Sequence, residues 1–200
     1  MIQYNQRLPE KPGVRKEIVG MKWMIASDLH GSAYHCRRLF AAYEAEQAER
    51  LLLLGDLLYH GPRNDLPQEY APKQVIAMLN ERKQELVCVR GNCDSEVDQM
   101  VLEFPILSDY CILAEQETVV VATHGHLPPE RLPLRSGEIL LQGHTHVPGK
   151  TEQGNHIVLN PGSVSLPKEN SWQGYMTWEN GCFLWKNFDG EELLRYLCRA

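Results

Sequence analysis

Seven residues of this 200-residue chain combine a type that binds divalent cations with a shared position in the pattern: Asp28, His30, Asp56, Asn92, His124, His144 and His146. Each follows the end of a short apolar run. Residues 22–27 lead into Asp28-Leu29-His30, 51–54 into Gly55-Asp56, and 86–90 into Gly91-Asn92. Residues 118–123 lead into His124-Gly125-His126, and 138–142 into Gly143-His144-Thr145-His146. Carboxylates and imidazoles with one amide oxygen suit Mn, Fe or Zn better than Ca or Mg alone. Seven such groups exceed the three or four protein ligands that one metal usually takes. Two ions roughly 3.5–4 Å apart, sharing one carboxylate, would use them all. Asp56, the lone carboxylate of a Gly-Asp turn, is the natural bridge. Such a pair polarises phosphoryl oxygens and converts water into a hydroxide nucleophile, so no protein nucleophile is required.

The apolar runs read as strands that must deliver these residues. In α/β sheets, sites form at the carboxyl ends of strands, because the strands bring residues to one edge. Gly55, Gly91 and Gly143 would let the backbone turn sharply there. Between the strands, residues 32–47 carry Cys36, Leu39, Phe40 and Tyr43 at helical spacing, and 72–84 carry Val75, Met78 and Leu79. A shorter helical stretch is predicted over 95–104. A Pro/Gly-rich loop spans 60–70. From residue 118 onward strands dominate, including 156–159, which leads into Asn160-Pro161-Gly162-Ser163. The segment with turns at Asn180-Gly181 and Asp189-Gly190 reads as a small meander.

Composition excludes several classes. Hydrophobic content of 43% and charged content of 23% are ordinary for a globular domain. The net charge of −6 leaves no basic footprint for nucleic acid or an anionic membrane, so neither is expected as a partner. No run approaches the ~20 apolar residues of a membrane span. The six cysteines form no C-x-x-C pair and are read as reduced thiols of a cytoplasmic protein. Residues 1–20 lack periodicity and are expected to be a disordered or artefactual extension; 21–200 are expected to form a single domain.

The five blocks, in order, resemble the calcineurin-like metallophosphoesterase superfamily, whose pattern is D-x-H, G-D, G-N-H-[ED], a lone H, and G-H-x-H. The matches are Asp28-Leu29-His30, Gly55-Asp56, Gly91-Asn92-Cys93-Asp94, His124 and Gly143-His144-Thr145-His146. Their surroundings resemble the bacterial YfcE-like phosphodiesterases: residues 27–32, His60-Gly61-Pro62-Arg63-Asn64, residues 91–98, and Asn160-Pro161-Gly162-Ser163. The resemblance covers residues 21–178. It implies a four-layer α/β sandwich, two mixed β-sheets flanked by helices. It implies one ion on Asp28, His30, Asp56 and His146, and another on Asp56, Asn92, His124 and His144. Mn is the expected ion, with Zn, Fe and Ni as alternatives.

The superfamily often has His after the metal-binding Asn, where it stabilises charge or protonates the leaving group. Here that position is Cys93, and a thiol supplies no cation near neutral pH. The YfcE-like group also has Cys there. The substitution favours a phosphodiesterase acting on a small phosphodiester over the alternative, a phosphomonoesterase. His60, Arg63 and His126 are the candidate substitutes. Asp94 either caps a helix starting at Ser95 or supports the ligands from behind. His126 is alternatively an orienting residue, the Asn160–Ser163 turn a structural one, and His35 and His156 structural residues. A further alternative is a non-catalytic scaffold like the retromer subunit that shares this fold with an eroded metal site. Homo-oligomerisation is left open.

Overall fold

The computed structural model describes residues 20–198. The extension expected over residues 1–20 therefore lies, apart from Gly20, outside the described residues.

The chain runs β1 (Trp23–Ala26), α1 (Ala33–Glu46), β2 (Arg50–Leu53), α2 (Pro72–Glu81), β3 (Leu86–Cys88) and α3 (Glu96–Gln99). It continues with β4 (Tyr110–Glu115), β5 (Thr118–Thr123), a 3₁₀ turn (Pro129–Arg131), β6 (Ile139–Leu141), β7 (Gly149–Gln153) and β8 (His156–Asn160). The meander β9 (Gly174–Glu179), β10 (Cys182–Asn187) and β11 (Glu192–Leu197) follows. Two mixed sheets result, with strand orders β11-β10-β9-β1-β2-β3 and β4-β5-β6-β8-β7. Each has three parallel strands, β1-β2-β3 and β5-β6-β8, joined to antiparallel neighbours.

Alternation along the strands builds the layers. In β2 and the residue after it, Leu51 and Leu53 face α1 and α2, while Leu52 and Leu54 face the second sheet. Strands buried on both faces show continuous apolar runs, which is why β2 reads Leu-Leu-Leu-Leu from residue 51. Between the sheets, Ile25, Leu52, Leu54 and Val89 pack with Val120, Leu141 and Leu159. Trp178 stacks on Phe183 in the same core, with ring centroids 5.2 Å apart. The outer face of the second sheet is covered thinly, by Leu132 and the partly buried Leu134 over Val121, Leu140 and Val158.

Local chemistry sets the element ends. Ser32 caps α1, its Oγ accepting the His35 N–H at 3.2 Å. Pro72 starts α2, where its missing N–H costs nothing. Helix α2 stops at Glu81, short of the expected 84. The helix expected over 95–104 is a single turn. Leu102, Phe104 and Ile106 are buried while Val101, Glu103 and Pro105 are exposed, a period of two that only extended chain delivers. The Gln99 amide holds that segment, donating to Leu102 O and Phe104 O and accepting from Ile106 N–H.

Two strands escaped the sequence pattern. Edge strand β7 is Gly-Lys-Thr-Glu-Gln, and an edge needs no apolar face. Strand β4 is the other edge of that sheet, half-exposed along its length. The meander is present, with positive φ at both Asn180 and Gly181. Its membership of the first sheet, through antiparallel pairing of β9 with β1, carries no local signal.

Leu52 is fully buried between the sheets. Leu52→Ala is expected to lower unfolding stability by about 2–5 kcal/mol in urea titrations. The exposed Leu66→Ala should stay within about 0.5 kcal/mol.

Candidate metal centre

The parallel strands of both sheets send their carboxyl ends to one edge. From there β1 delivers Asp28 and His30, β2 Asp56, β3 Asn92, β5 His124, and β6 His144 and His146. Their loops are stitched together through the backbone. Asp28 N–H donates to Gly55 O, His30 N–H to Asp56 O, and Gly143 N–H to His124 O, at 2.8–3.1 Å. Five of the seven residues (Asp28, His30, Asp56, His144 and His146) have φ between 49° and 68°. Side chains rarely adopt that region, at a cost of order 1–3 kcal/mol each, and it concentrates at functional sites. Gly55 shares it, with φ 92°. Gly91 and Gly143 serve differently from the sharp turns expected of them. A Cβ on Gly91 would lie 2.1 Å from Asp56 Oδ1, and one on Gly143 1.9 Å from Ser27 Oγ. These positions need the close approach of two loops.

Hydrogen bonds behind the imidazoles fix which nitrogen faces inward. Backbone carbonyls accept from Nδ1–H of three of them: Tyr59 O from His30 at 2.7 Å, Leu54 O from His124 at 2.6 Å, and Leu166 O from His146 at 2.6 Å. Each Nε2 then presents a lone pair to the centre. The Nε2 atoms of His30 and His146 face each other at 3.2 Å. His124 Nε2 meets Asn92 Oδ1 at 3.1 Å, His144 Nδ1 at 3.2 Å and Asp56 Oδ2 at 3.5 Å. Asp28 Oδ1 lies 3.2 Å from His146 Nε2, 3.6 Å from His30 Nε2 and 3.9 Å from His124 Nε2, and is buried without a hydrogen bond. Acceptors meeting acceptors in a buried pocket are stable only around positive charge. Three groups of ligand atoms close enough to share an ion result: Asp28, His30 and His146; Asp28, Asp56 and His124; and His30, Asp56 and Cys93. The residues present thus fit divalent metal ions.

Protons supply that charge when metal does not. Burial disfavours a charged His124, but Asp56 and Asp28 beside it prevail and raise its pKa to about 9. His30 is likewise raised, Asp28 outweighing burial. Burial would raise Asp28 and Asp56, but the imidazoles keep both ionised, Asp28 through His146 and His30 and Asp56 through His124. Burial lowers His144 and His126, and the neighbouring His124 lowers them further.

Two supports stand behind the centre. Buried Asp94 accepts the N–H groups of Asp56, Leu57 and Gly91 at 2.8–2.9 Å, locking the loops of Asp56 and Asn92 together. The short helix is capped instead by Ser95 and Asp98 in a capping box. The Asn160–Ser163 turn is a second brace: Asn160 Nδ2 donates to Gly143 O and Ser163 Oγ to Asp28 O.

A cleft of about 50 Å³ opens over the centre, walled by His30, Asp56, Asn92, His144, His146 and the loop 61–64, with Cys93 and Lys168. Of the expected substrate contacts, Arg63 and Cys93 therefore stand on the cleft wall. His60 does not: its ring packs edge-on against Tyr59 and Tyr70, and its Nδ1 is buried without a partner. His126 lies behind the wall, its ring 5.5 Å from that of His124 and 6.4 Å from that of His144. Lys168 had no sequence signal beyond following the Asn160–Ser163 turn. His35 is buried at the start of α1, its Nδ1 2.9 Å from Ser32 Oγ, and has a structural role. All six cysteines are free, and no helix among the described residues is long and apolar enough to cross a membrane.

Two stacked mixed sheets that converge carboxylates and imidazoles on one edge, beneath a small polar cleft, make this a metal-dependent phosphoesterase. Residues 21–180 match the calcineurin-like phosphoesterase superfamily domain, and the chain belongs to that superfamily. It is 45% identical to phosphodiesterase YfcE of Escherichia coli strain K12 over 162 residues, 80% of this chain and 88% of that protein. The solved structure of the E. coli YfcE phosphoesterase superposes with a TM-score of 0.84 at 41% identity, covering 90% of this chain and all of the other. Vps29 of Entamoeba histolytica, solved with Zn²⁺, shares the fold at a TM-score of 0.56 and 18% identity, covering 90% of this chain and all of that one.

Two outcomes are expected. Metal must displace the proton of His124, so binding near neutral pH releases protons, and affinity rises about tenfold per pH unit per proton released, up to about pH 9. Metal titrations in weakly buffered solution from pH 6.5 to 9 measure this; a flat profile would contradict it. The sign reverses for the metal-free fold, in which the contribution of His124 is full below 6.5 and lost as pH rises through about 9. Asp94→Asn puts a donor where backbone N–H groups need acceptors, and should weaken metal binding about 10–100-fold. Bound-metal assays after dialysis check it.

Proposed function

We propose that the chain is a Mn-dependent phosphodiesterase that hydrolyses small phosphodiesters at this centre. The observation that carries the reading is the meeting of inward lone pairs from His30, His146 and His124 with two buried carboxylates under a cleft. Asp28, His30, Asp56 and His146 would hold one divalent ion, and Asp56, Asn92, His124 and His144 the other. Bound ions of this kind supply Lewis acidity toward phosphoryl oxygens and lower the pKa of water. The softness of imidazole with carboxylate supports Mn over Mg or Ca.

The chain's own residues set the geometry. The carbonyls of Tyr59, Leu54 and Leu166 orient three imidazoles, and Asp94 fixes Asp56. Cys93 N–H donates to Asp56 Oδ1 at 2.8 Å, holding that carboxylate from the cleft side. Arg63 offers positive charge to a substrate oxygen. Cys93 is a weak acid, because burial and then Asp56 push its thiol up to about 12. A site with only so weak an acid there favours esters whose leaving group departs unaided, which supports diesters with good leaving groups over monoesters of alcohols.

The test compares a chromogenic aryl diester with its monoester after Mn loading. The diester should be preferred, and Asp56→Asn should abolish both rates. Cys93→His should raise the monoester rate relative to the diester by about tenfold or more. A strong monoester preference in the unaltered chain would overturn the assignment, as would full activity in Asp56→Asn.

A further inference from the structure

The cleft is small, and its rim carries charge that the metal-capable floor does not explain. The metal-capable residues form one side of the cleft wall, so substrate groups beyond the reacting phosphorus extend along the rest of it. Asp56 is the only carboxylate on the wall, whereas Arg63 and Lys168 are two cations on it. Both are exposed, and neither side chain has a hydrogen bond or ion pair among the described residues, although Asp65 lies two residues after Arg63 and Glu169 directly follows Lys168. Some exposed cations elsewhere find carboxylates, as Arg37 does with Glu69, Lys83 with Glu103 and Arg195 with Glu192, while Lys73, Arg131 and Arg135 do not; Arg63 and Lys168 are set apart by their place on the cleft wall. In a chain of net charge −6, two unpaired cations over one cleft are an anion-binding feature.

The two come from different loops fixed to one half of the centre. The Arg63 loop follows Tyr59, whose carbonyl holds His30, and is closed by Asn64 Nδ2 donating to His60 O at 2.8 Å. The Lys168 loop follows Leu166, whose carbonyl holds His146, and Lys168 N–H donates to His146 O at 3.3 Å. His30 and His146 face each other at 3.2 Å, so Arg63 and Lys168 are tethered behind a single facing pair. That rim has cations but no acid. His60 is packed against Tyr59 and Tyr70, and His126 sits by His124 and His144, in the other half. An alcohol leaving group needs a proton, whereas one that departs as a stable anion needs only positive charge.

We propose that Arg63 and Lys168 select substrates in which the scissile phosphorus is linked through oxygen to a second phosphoryl group: disubstituted diphosphates, R–O–PO₂–O–PO₂–O–R′. The proposal rests on the phosphodiesterase reading and names its substrate class. The oxygen of water bonds to one phosphorus while the bridging P–O bond breaks. The bridging oxygen leaves with the electron pair on the second phosphate, whose charge Arg63 and Lys168 neutralise. Both protons of the water pass to solvent, two phosphomonoesters are released, and nothing is oxidised or reduced.

The test compares the Mn-loaded chain on a dinucleoside diphosphate and on a dinucleoside monophosphate with the same bases. The diphosphate should be cleaved with kcat/KM at least about tenfold higher. Arg63→Gln and Lys168→Gln should each lower kcat/KM about tenfold more on the diphosphate than on the monophosphate, mainly through KM, and Lys168→Arg should restore most of the preference. A second readout needs no turnover. Calorimetric binding of methylenediphosphonate should exceed that of inorganic phosphate about tenfold, weaken with added salt, and lose its advantage in Lys168→Gln at unchanged metal content. Equal losses on both substrates, or equal binding of the two anions, would overturn the proposal. An aryl diester cleaved with no diphosphate preference overturns it alone; no hydrolysis of any diester overturns the phosphodiesterase reading beneath it.

Discussion

Lone pairs pointed at lone pairs dominate this molecule. His30 and His146 bring their Nε2 atoms to 3.2 Å, and His124 faces an amide oxygen, another imidazole and a carboxylate at similar range. In a buried pocket, such a cluster pushes itself apart unless positive charge fills its centre. Its existence therefore implies both a cation and a scaffold stiff enough to hold the ligands in place. The raised pKa of His124 is the same fact seen from the proton's side: a proton and a metal compete for the same lone pair.

The stiffness has identifiable sources. Two parallel three-stranded ribbons, packed face to face through Leu52, Leu54, Val120 and Leu141, aim their carboxyl ends the same way. At that edge, Gly91 and Gly143 let loops approach more closely than any side chain would allow. Asp94 and Ser163 then bind those loops through backbone groups. The left-handed backbone at five of the seven residues is tolerated because these contacts over-determine it.

What the site lacks is as informative as what it holds. An imidazole at position 93 would bring a proton donor to the cleft; burial and then Asp56 hold the thiol there up at about 12, so it is a weak acid at neutral pH. Charge comes instead from Arg63 and Lys168, on loops suspended from the carbonyl-held imidazoles. The metal-capable residues and the cations thus come from different parts of the chain: strand ends carry the first, and two loops carry the second.

The sequence alone picked out the seven polar residues that the fold carries to one edge, because a polar residue ending an apolar strand is a local pattern and five such endings in order are hard to produce by accident. It also determined α1, α2 and the central strands, whose apolar runs and helical spacing are local as well. Tertiary structure decided the rest. Whether His60 and Arg63, three residues apart in one loop, reach the cleft depends on Tyr70 packing against the first and not the second. Asp94 reads equally well as a cap or a support until the Asp56 loop, 38 residues earlier, is seen to donate to it. Lys168 enters the site only because the turn before it folds back onto Asp28. Edge strand β7 and the pairing of β9 with β1 left no trace, since neither depends on the hydrophobic alternation of its own residues. Periodicity records what each segment buries, and it is silent about which distant segment comes to meet it.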